Sequence, residues 1–212
     1  MSKPRFITFE GIDGAGKTTQ ARRLAQALRQ QGGEVVHTRE PGGAPGAEKI
    51  RNLVLRGAPE CWSPQTEILL FMAARRDHLE RTIRPALAAG KTVVCDRFSD
   101  SSRIYQTGGR KALRRIVDRL HDLVIGLEPD LTILLDIDPQ HSFPRARAGN
   151  AAEQRFEDFG YEFQRRMRQG YLELAAQYAH RFCVIDANRL EDTIAQDVLT
   201  AAQQGAKQGA LL

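Results

Sequence analysis

Cysteine is sparse in this chain: Cys61, Cys95 and Cys183 are odd in number, far apart and free of any C-x-x-C spacing. That excludes a disulfide framework or a cysteine zinc site as its organising device. Cys95 and Cys183 fall inside apolar, strand-like runs, where a thiol behaves as a small core residue. No apolar run approaches the roughly 20 residues that span a bilayer, and the amino end, MSKPRF, carries no apolar signal core. Export and membrane insertion are not indicated, and a cytoplasmic location is expected. Internal repeats and low-complexity tracts are lacking too. A formal net charge of +5 over 212 residues is modest, and the arginines are scattered. That favours a pocket for small polyanions over a nucleic-acid surface. With 42% hydrophobic and 27% charged residues, residues 1–212 read as one globular domain with a sizeable core.

What is present is concentrated first in RFITFEGIDGAGKTTQ, Arg5 to Gln20. Phe6, Ile7, Thr8 and Phe9 suit a strand, and it runs into Gly11, Ile12, Asp13, Gly14, Ala15, Gly16, Lys17 and Thr18, the G-x-x-x-x-G-K-[ST] phosphate loop. Glycines turn successive N–H groups toward a polyphosphate, Lys17 adds charge at its β/γ end, and the Thr18 hydroxyl can ligate Mg²⁺. Ala21, Leu24, Ala25 and Leu28 continue at helical spacing until Gly32 and Gly33. Strand, loop and helix are therefore in the order that the motif needs.

Further strands are expected at 34–38, 92–95, 130–136 and 182–185. Helices are expected from near Ala47, from Pro64 through Arg76 and on toward Gly90, over 112–125, 159–180 and 191–203. The implied fold is α/β, a doubly wound five-stranded parallel sheet flanked by helices, with ligands at the strands' carboxyl ends. Arg39 to Gly46 form a Pro/Gly-rich loop at that edge. On spacing alone Arg51 is a solvated helix residue and Phe71 is core. Arg75 and Arg76, beside an apolar helix, need partners. Asp96 and Arg97 close the third strand, where a carboxylate can bind Mg²⁺ and a guanidinium can neutralise phosphate oxygens. Residues 140–158 are polar, arginine-rich and suited to a mobile lid.

FEGIDGAGKTTQ, TREPGGAPGAEKIR, LLFMAARRDHL, VVCDRFSDSSRIYQTGG, LTILLDIDP, QRFEDFGYEFQRRMRQGYLELA and VIDANR together resemble the thymidylate kinase family, bacterial branch, within the nucleoside monophosphate kinases. The likeness runs from Phe6 to about Asn188. It implies γ-phosphoryl transfer from ATP to thymidine monophosphate with Mg²⁺, and a homodimer. Residues 11 to 18 would bind ATP phosphates, with Thr18 and Asp96 serving the metal. Lys17, Asp96, Arg97 and Arg155 would be catalytic, Arg155 from the lid, with Arg145 and Arg147 as further lid arginines. Arg51 and Arg97 would hold the acceptor phosphate, and Asp13 its 3′-hydroxyl. Phe71 would stack on thymine and Arg75 would donate to a carbonyl. Ser101, Tyr105 and Gln106 would complete the pocket, with Glu40 and Pro41 along its side. Ala15 stands where the eukaryotic branch has arginine, which leaves that charge to the lid, and Ala44 replaces the threonine usual after EPGG.

Two other readings share parts of this pattern. In a deoxynucleoside kinase Glu40 would be a general base for a 5′-hydroxyl. A regulatory phosphate-loop protein would instead couple nucleotide state to a surface. The arginines at 51 and 97 suit an acceptor already bearing phosphate.

Overall fold

The computed structural model describes residues 5–56, 61–147 and 160–204. Its centre is a parallel sheet of β1 (Phe6–Glu10), β2 (Val35–Arg39), β3 (Thr92–Asp96), β4 (Leu131–Asp136) and β5 (Phe182–Asp186), ordered β2-β3-β1-β4-β5. Every residue of β1 is buried, so FITFE is covered on both faces, as a parallel sheet between helices requires. The period of two sorts its side chains. Ile7 and Phe9 enter a core with Leu24, Ile133, Tyr171 and Val198, whereas Phe6 enters the opposite core with Ile68, Val93, Phe98 and Val117. The register sets Phe9 beside Asp96 and Arg39 beside Asp96, which gathers the polar strand ends along one edge.

The helices are α1 (Lys17–Gln30), α2 (Pro45–Leu55), α3 (Pro64–His78), α4 (Arg84–Ala88), α5 (Ser99–Ile104), α6 (Lys111–Leu120), α7 (Pro139–Arg147), α8 (Gly160–Gln177) and α9 (Glu191–Gln204). Helix α2 starts two residues before the expected Ala47, because Pro45 sits in its first turn, where a missing N–H costs nothing. Its N-cap is Ala44, which has no side-chain oxygen to offer. The carboxylate of Asp77 on α3 accepts from Ala47 N at 2.9 Å in its place. Ser63 caps α3 by accepting from Thr66 N.

Single π-helical turns follow α3 (Leu79–Ile83) and α6 (His121–Ile125), inside stretches whose spacing reads as continuous helix. Two helices were not expected. In α5, SDSSRI has no apolar period, and its first turn is held by a tertiary acceptor, Glu10, which takes N–H bonds from Phe98 and Ser101. In α7 the backbone is helical through Pro144, within the segment expected to be a lid.

Candidate active site

The phosphate loop bends sharply between β1 and α1. Gly11 has φ of 140°, and a Cβ there would stand 2.6 Å from the Leu135 carbonyl oxygen, so no side chain fits. Lys17 turns back over the loop, its Nζ donating to the Ile12 carbonyl at 2.8 Å. Burial, and then Arg97, lower the Lys17 pKa to about 8, against the pull of Asp13, Asp96 and Glu10. A polyphosphate in the loop would restore the full charge. The Thr18 hydroxyl donates to the Asp96 carboxylate. The other Asp96 oxygen is buried and unpartnered among the described groups. A hydroxyl and a carboxylate with one oxygen unclaimed, beside a phosphate cradle, fit the oxygen-rich, partly protein-supplied shell of Mg²⁺.

A cavity of about 760 Å³ opens over this loop. One wall comes from Glu40, Pro41 and Arg51 after β2, and another from Phe71 on α3. Asp96, Arg97, Ser101, Tyr105 and Gln106 form its inner side. Thr19, Gln20, Arg189, Glu191 and Ile194 continue it past the phosphate loop toward α9. Gly11 and Ile12 lie beneath the loop surface and Arg75 behind Glu40, all three outside the cavity lining.

Arg97 is central to the inner side. It is the described non-glycine residue with positive φ, 68°, an uncommon conformation that aims its side chain back across β1. Its guanidinium donates to Asp13 at 2.5 Å and to Ser101 Oγ at 3.0 Å, and lies 4.9 Å over the Tyr105 ring. Tyr105 OH and Gln164 Nε2 also donate to Asp13, at 3.2 and 3.3 Å. Burial alone would raise the Asp13 carboxyl, yet Arg97 and Lys17 hold it below its ordinary value.

The residues behind the Glu40 wall form a second chain of contacts. Arg75 donates through Nε to Glu40 at 2.7 Å, through Nη1 to Ser102 Oγ at 3.1 Å and through Nη2 to the Phe98 carbonyl at 3.0 Å. His78 Nδ1 lies 3.0 Å from the other Glu40 oxygen, and its Nε2 lies 2.7 Å from Thr38 Oγ1. Burial disfavours the Glu40 carboxylate, but Arg75 and His78 outweigh it and lower its pKa. Arg51 is not simply solvated: its Nη1 donates to the Pro41 carbonyl at 2.6 Å. Gln106 donates to Glu67 at 3.4 Å. Phe71 is both buried, 8% exposed, and part of the cavity wall. Arg76 has found its partners in Glu80 and the Val124 carbonyl, away from the site. Arg155 and residues 148–158 of the expected lid lie outside the described residues, and Arg145 and Arg147 fall within α7.

Sequence reasoning passed over Glu10, Gln164 and Tyr171. Glu10 had one signal, an acidic residue ending an apolar strand. Gln164 and Tyr171 lie seven apart, on one face of α8, which is a helical period that only a polar reading would have noticed.

The thymidylate kinase family model matches residues 9–198. A thymidylate kinase of Ruegeria pomeroyi is 64% identical over 193 residues, covering 91% of this chain and 92% of that protein. One from Dinoroseobacter shibae is 56% identical over 94% of this chain and 97% of its own length. The crystal structure of thymidylate kinase from Ehrlichia chaffeensis superposes with a TM-score of 0.78 at 35% identity, covering 95% of this chain and all of that one. With the match running from the first buried strand into α9, the chain belongs to the thymidylate kinase family.

Proposed function

We propose that the cavity seats both substrates of this family's reaction, with the phosphate loop between them. The chain transfers the γ-phosphoryl group of ATP to thymidine monophosphate, giving thymidine diphosphate and ADP, with Mg²⁺. The observation that carries the site assignment is the convergence of Lys17, Thr18, Asp96 and Arg97 on one 760 Å³ cavity that also reaches Phe71 and Gln106. The acceptor phosphate is itself the nucleophile, so the protein's task is to align two polyanions and neutralise charge in flight.

In this reading residues 11 to 18 hold the ATP phosphates, while Gln20, Arg189 and Ile194 border the rest of the nucleotide. Thr18 and Asp96 hold Mg²⁺, which when bound neutralises phosphate oxygens. Arg97 and Arg51 take the acceptor phosphate and Asp13 its 3′-hydroxyl. Phe71 covers the base, with Ser101, Tyr105 and Gln106 at its edge and Pro41 at its side. Arg75 places three of its five N–H groups on oxygen acceptors inside the protein and a fourth against Met72 Sδ, leaving one for a base carbonyl. Arg155 from the 140–158 lid completes the charge. Glu40 is clamped by Arg75 and His78 as a low-pKa carboxylate, which suits it to orient Arg75 and unsuits it as a general base for a nucleoside hydroxyl.

A cytoplasmic homodimer accompanies this reading. Leu53 and Leu69, 52% and 56% exposed on the adjoining α2 and α3, supply apolar surface for a second copy. Among the described residues no helix is long and apolar enough to cross a membrane.

The test is ADP release with ATP and Mg²⁺, comparing thymidine monophosphate with other monophosphates and with thymidine. Arg97→Ala should lower kcat/KM for thymidine monophosphate by roughly 10²–10³-fold. Equal turnover with no acceptor would overturn the assignment.

A further inference from the structure

Glu10 ends β1 one residue before the phosphate loop, fully buried, and touches no wall of the cavity. One carboxylate oxygen accepts from Phe98 N at 2.9 Å and Ser101 N at 3.1 Å. The other accepts from Ser101 Oγ at 2.6 Å and Tyr171 OH at 2.9 Å. Arg97 Nη1 reaches the same two hydroxyls, at 3.0 and 3.4 Å.

The ionisation state of Glu10 decides where the two hydroxyl hydrogens point, because Ser101 Oγ and Tyr171 OH also lie 3.1 Å from each other and either can donate across that gap. A hydroxyl has a single hydrogen, and an arginine only donates. If the Ser101 and Tyr171 hydrogens both point at Glu10, both oxygens present lone pairs to Arg97. Were Glu10 a donor at that oxygen, one hydroxyl would have to accept from it. That hydroxyl's own hydrogen would then turn toward its neighbour or toward Arg97. We propose that Glu10 is a positioning residue for the acceptor phosphate: as a carboxylate it orients the Ser101 and Tyr171 hydroxyls and so seats Arg97. The inference rests on the reading of Arg97 as the acceptor-phosphate residue.

The competing account makes Glu10 only a cap for α5. The two halves of its carboxylate separate these accounts. In Glu10→Gln the amide oxygen still accepts from Phe98 N and Ser101 N, so the cap survives. The NH₂ faces both hydroxyls and donates to them, so their own hydrogens must turn toward each other or toward Arg97, which disturbs its seat.

The charged groups facing Glu10 are Asp100 on α5, Arg97 before it and Lys17 on α1, and the titratable but neutral ones are Cys95 on β3 and Tyr171 on α8. Burial first, then Asp100, raise the Glu10 pKa to about 7, against Arg97 and the bonds from Ser101 and Phe98. The orienting form therefore dominates above pH 7 and is lost below it.

The experiment measures KM for thymidine monophosphate and for ATP from pH 6 to 8.5, on wild type, Glu10→Gln, Tyr171→Phe and Arg97→Ala. Expected is a rise of roughly ten- to a hundredfold in the acceptor KM for Glu10→Gln at pH 8, with the ATP KM within about twofold. Wild type should lose acceptor affinity as pH falls through 7. The substrate phosphate titrates near 6 in every variant, so the wild-type limb missing from Glu10→Gln belongs to Glu10. Tyr171→Phe should show the same selective KM effect, smaller, and serves if Glu10→Gln does not fold. An unchanged acceptor KM in Glu10→Gln, or in Tyr171→Phe where that is the variant available, overturns the inference. So does an acceptor pH profile identical to wild type. Arg97→Ala with a normal acceptor KM would overturn the site reading beneath it.

Discussion

Two clusters of buried charge lie within a few residues of each other, on either side of α5, and burial acts on them in opposite senses. In the closed one, Asp100 accepts from Arg181 at 2.6 and 2.9 Å and from Arg103 at 2.8 Å, and Glu128 faces both arginines. Burial works against Arg103, Arg181 and Glu128, but the partners win: the Arg103 and Arg181 pKa values are raised and that of Glu128 is lowered. In the open cluster, under the cavity, burial wins at two groups. Lys17 falls to about 8 and Glu10 rises to about 7, each toward its neutral form. A charge network that serves only the fold is complete without a visitor. One that serves a polyanion is left short of partners until the polyanion arrives.

The largest expected effect that sharpens this contrast is in the closed cluster. Arg181→Met leaves Asp100 and Glu128 short of a partner and should cost ~3–5 kcal/mol of unfolding free energy. Both substrate KM values should stay near wild type. Denaturant unfolding beside steady-state kinetics checks both halves, and a large KM change would break the separation.

The second effect is a stability that runs against activity. The Glu10 pKa goes from 4.5 in the unfolded chain to about 7 in the fold. Its contribution is thus fully present below pH 4.5 and lost as pH rises through 7, amounting to about 3 kcal/mol. Glu10→Gln should gain stability relative to wild type by about that amount between pH 5 and 8, as urea midpoints would record. A constant difference across that range would remove Glu10 from the open cluster.

A smaller effect concerns Lys17, whose folded pKa of about 8 lies under the ordinary 10.5. ATP binding near pH 8 should draw in about half a proton as the phosphates restore the ammonium. Calorimetry in buffers of different ionisation enthalpy reads this directly, and it should vanish in Lys17→Met. The smallest effect lies outside both clusters. Asp77→Ala should cost ~1 kcal/mol by uncapping α2, while Ala44→Thr should change stability by less than ~1 kcal/mol, since Asp77 already holds the Ala47 N–H.

The sheet was legible because buried parallel strands write continuous apolar runs, and FITFE and LTILLD do so plainly. The positions of Lys17 and Thr18 at the start of α1 were legible because a phosphate loop states its own spacing, and that of Asp96 because it closes the apolar run of β3. Helix α5 was not, since SDSSRI is held by Glu10 from 88 residues earlier and no window on the chain contains both. The pairing of Glu40 with His78 escaped for the same reason, 38 residues apart. Arg51 was read as solvated because helical spacing says which face a residue occupies and nothing about the Pro41 carbonyl beyond it.

Gly43 sets a practical limit on redesign. A Cβ at this position would collide with His78 and Thr38, and its φ of 82° already disfavours any side chain. A side chain therefore cannot be introduced into the turn after β2 without displacing His78 and Thr38 and, through His78, the contacts that hold Glu40. An engineer seeking a new acceptor would leave that turn alone and vary Phe71 and Gln106, whose side chains border the cavity.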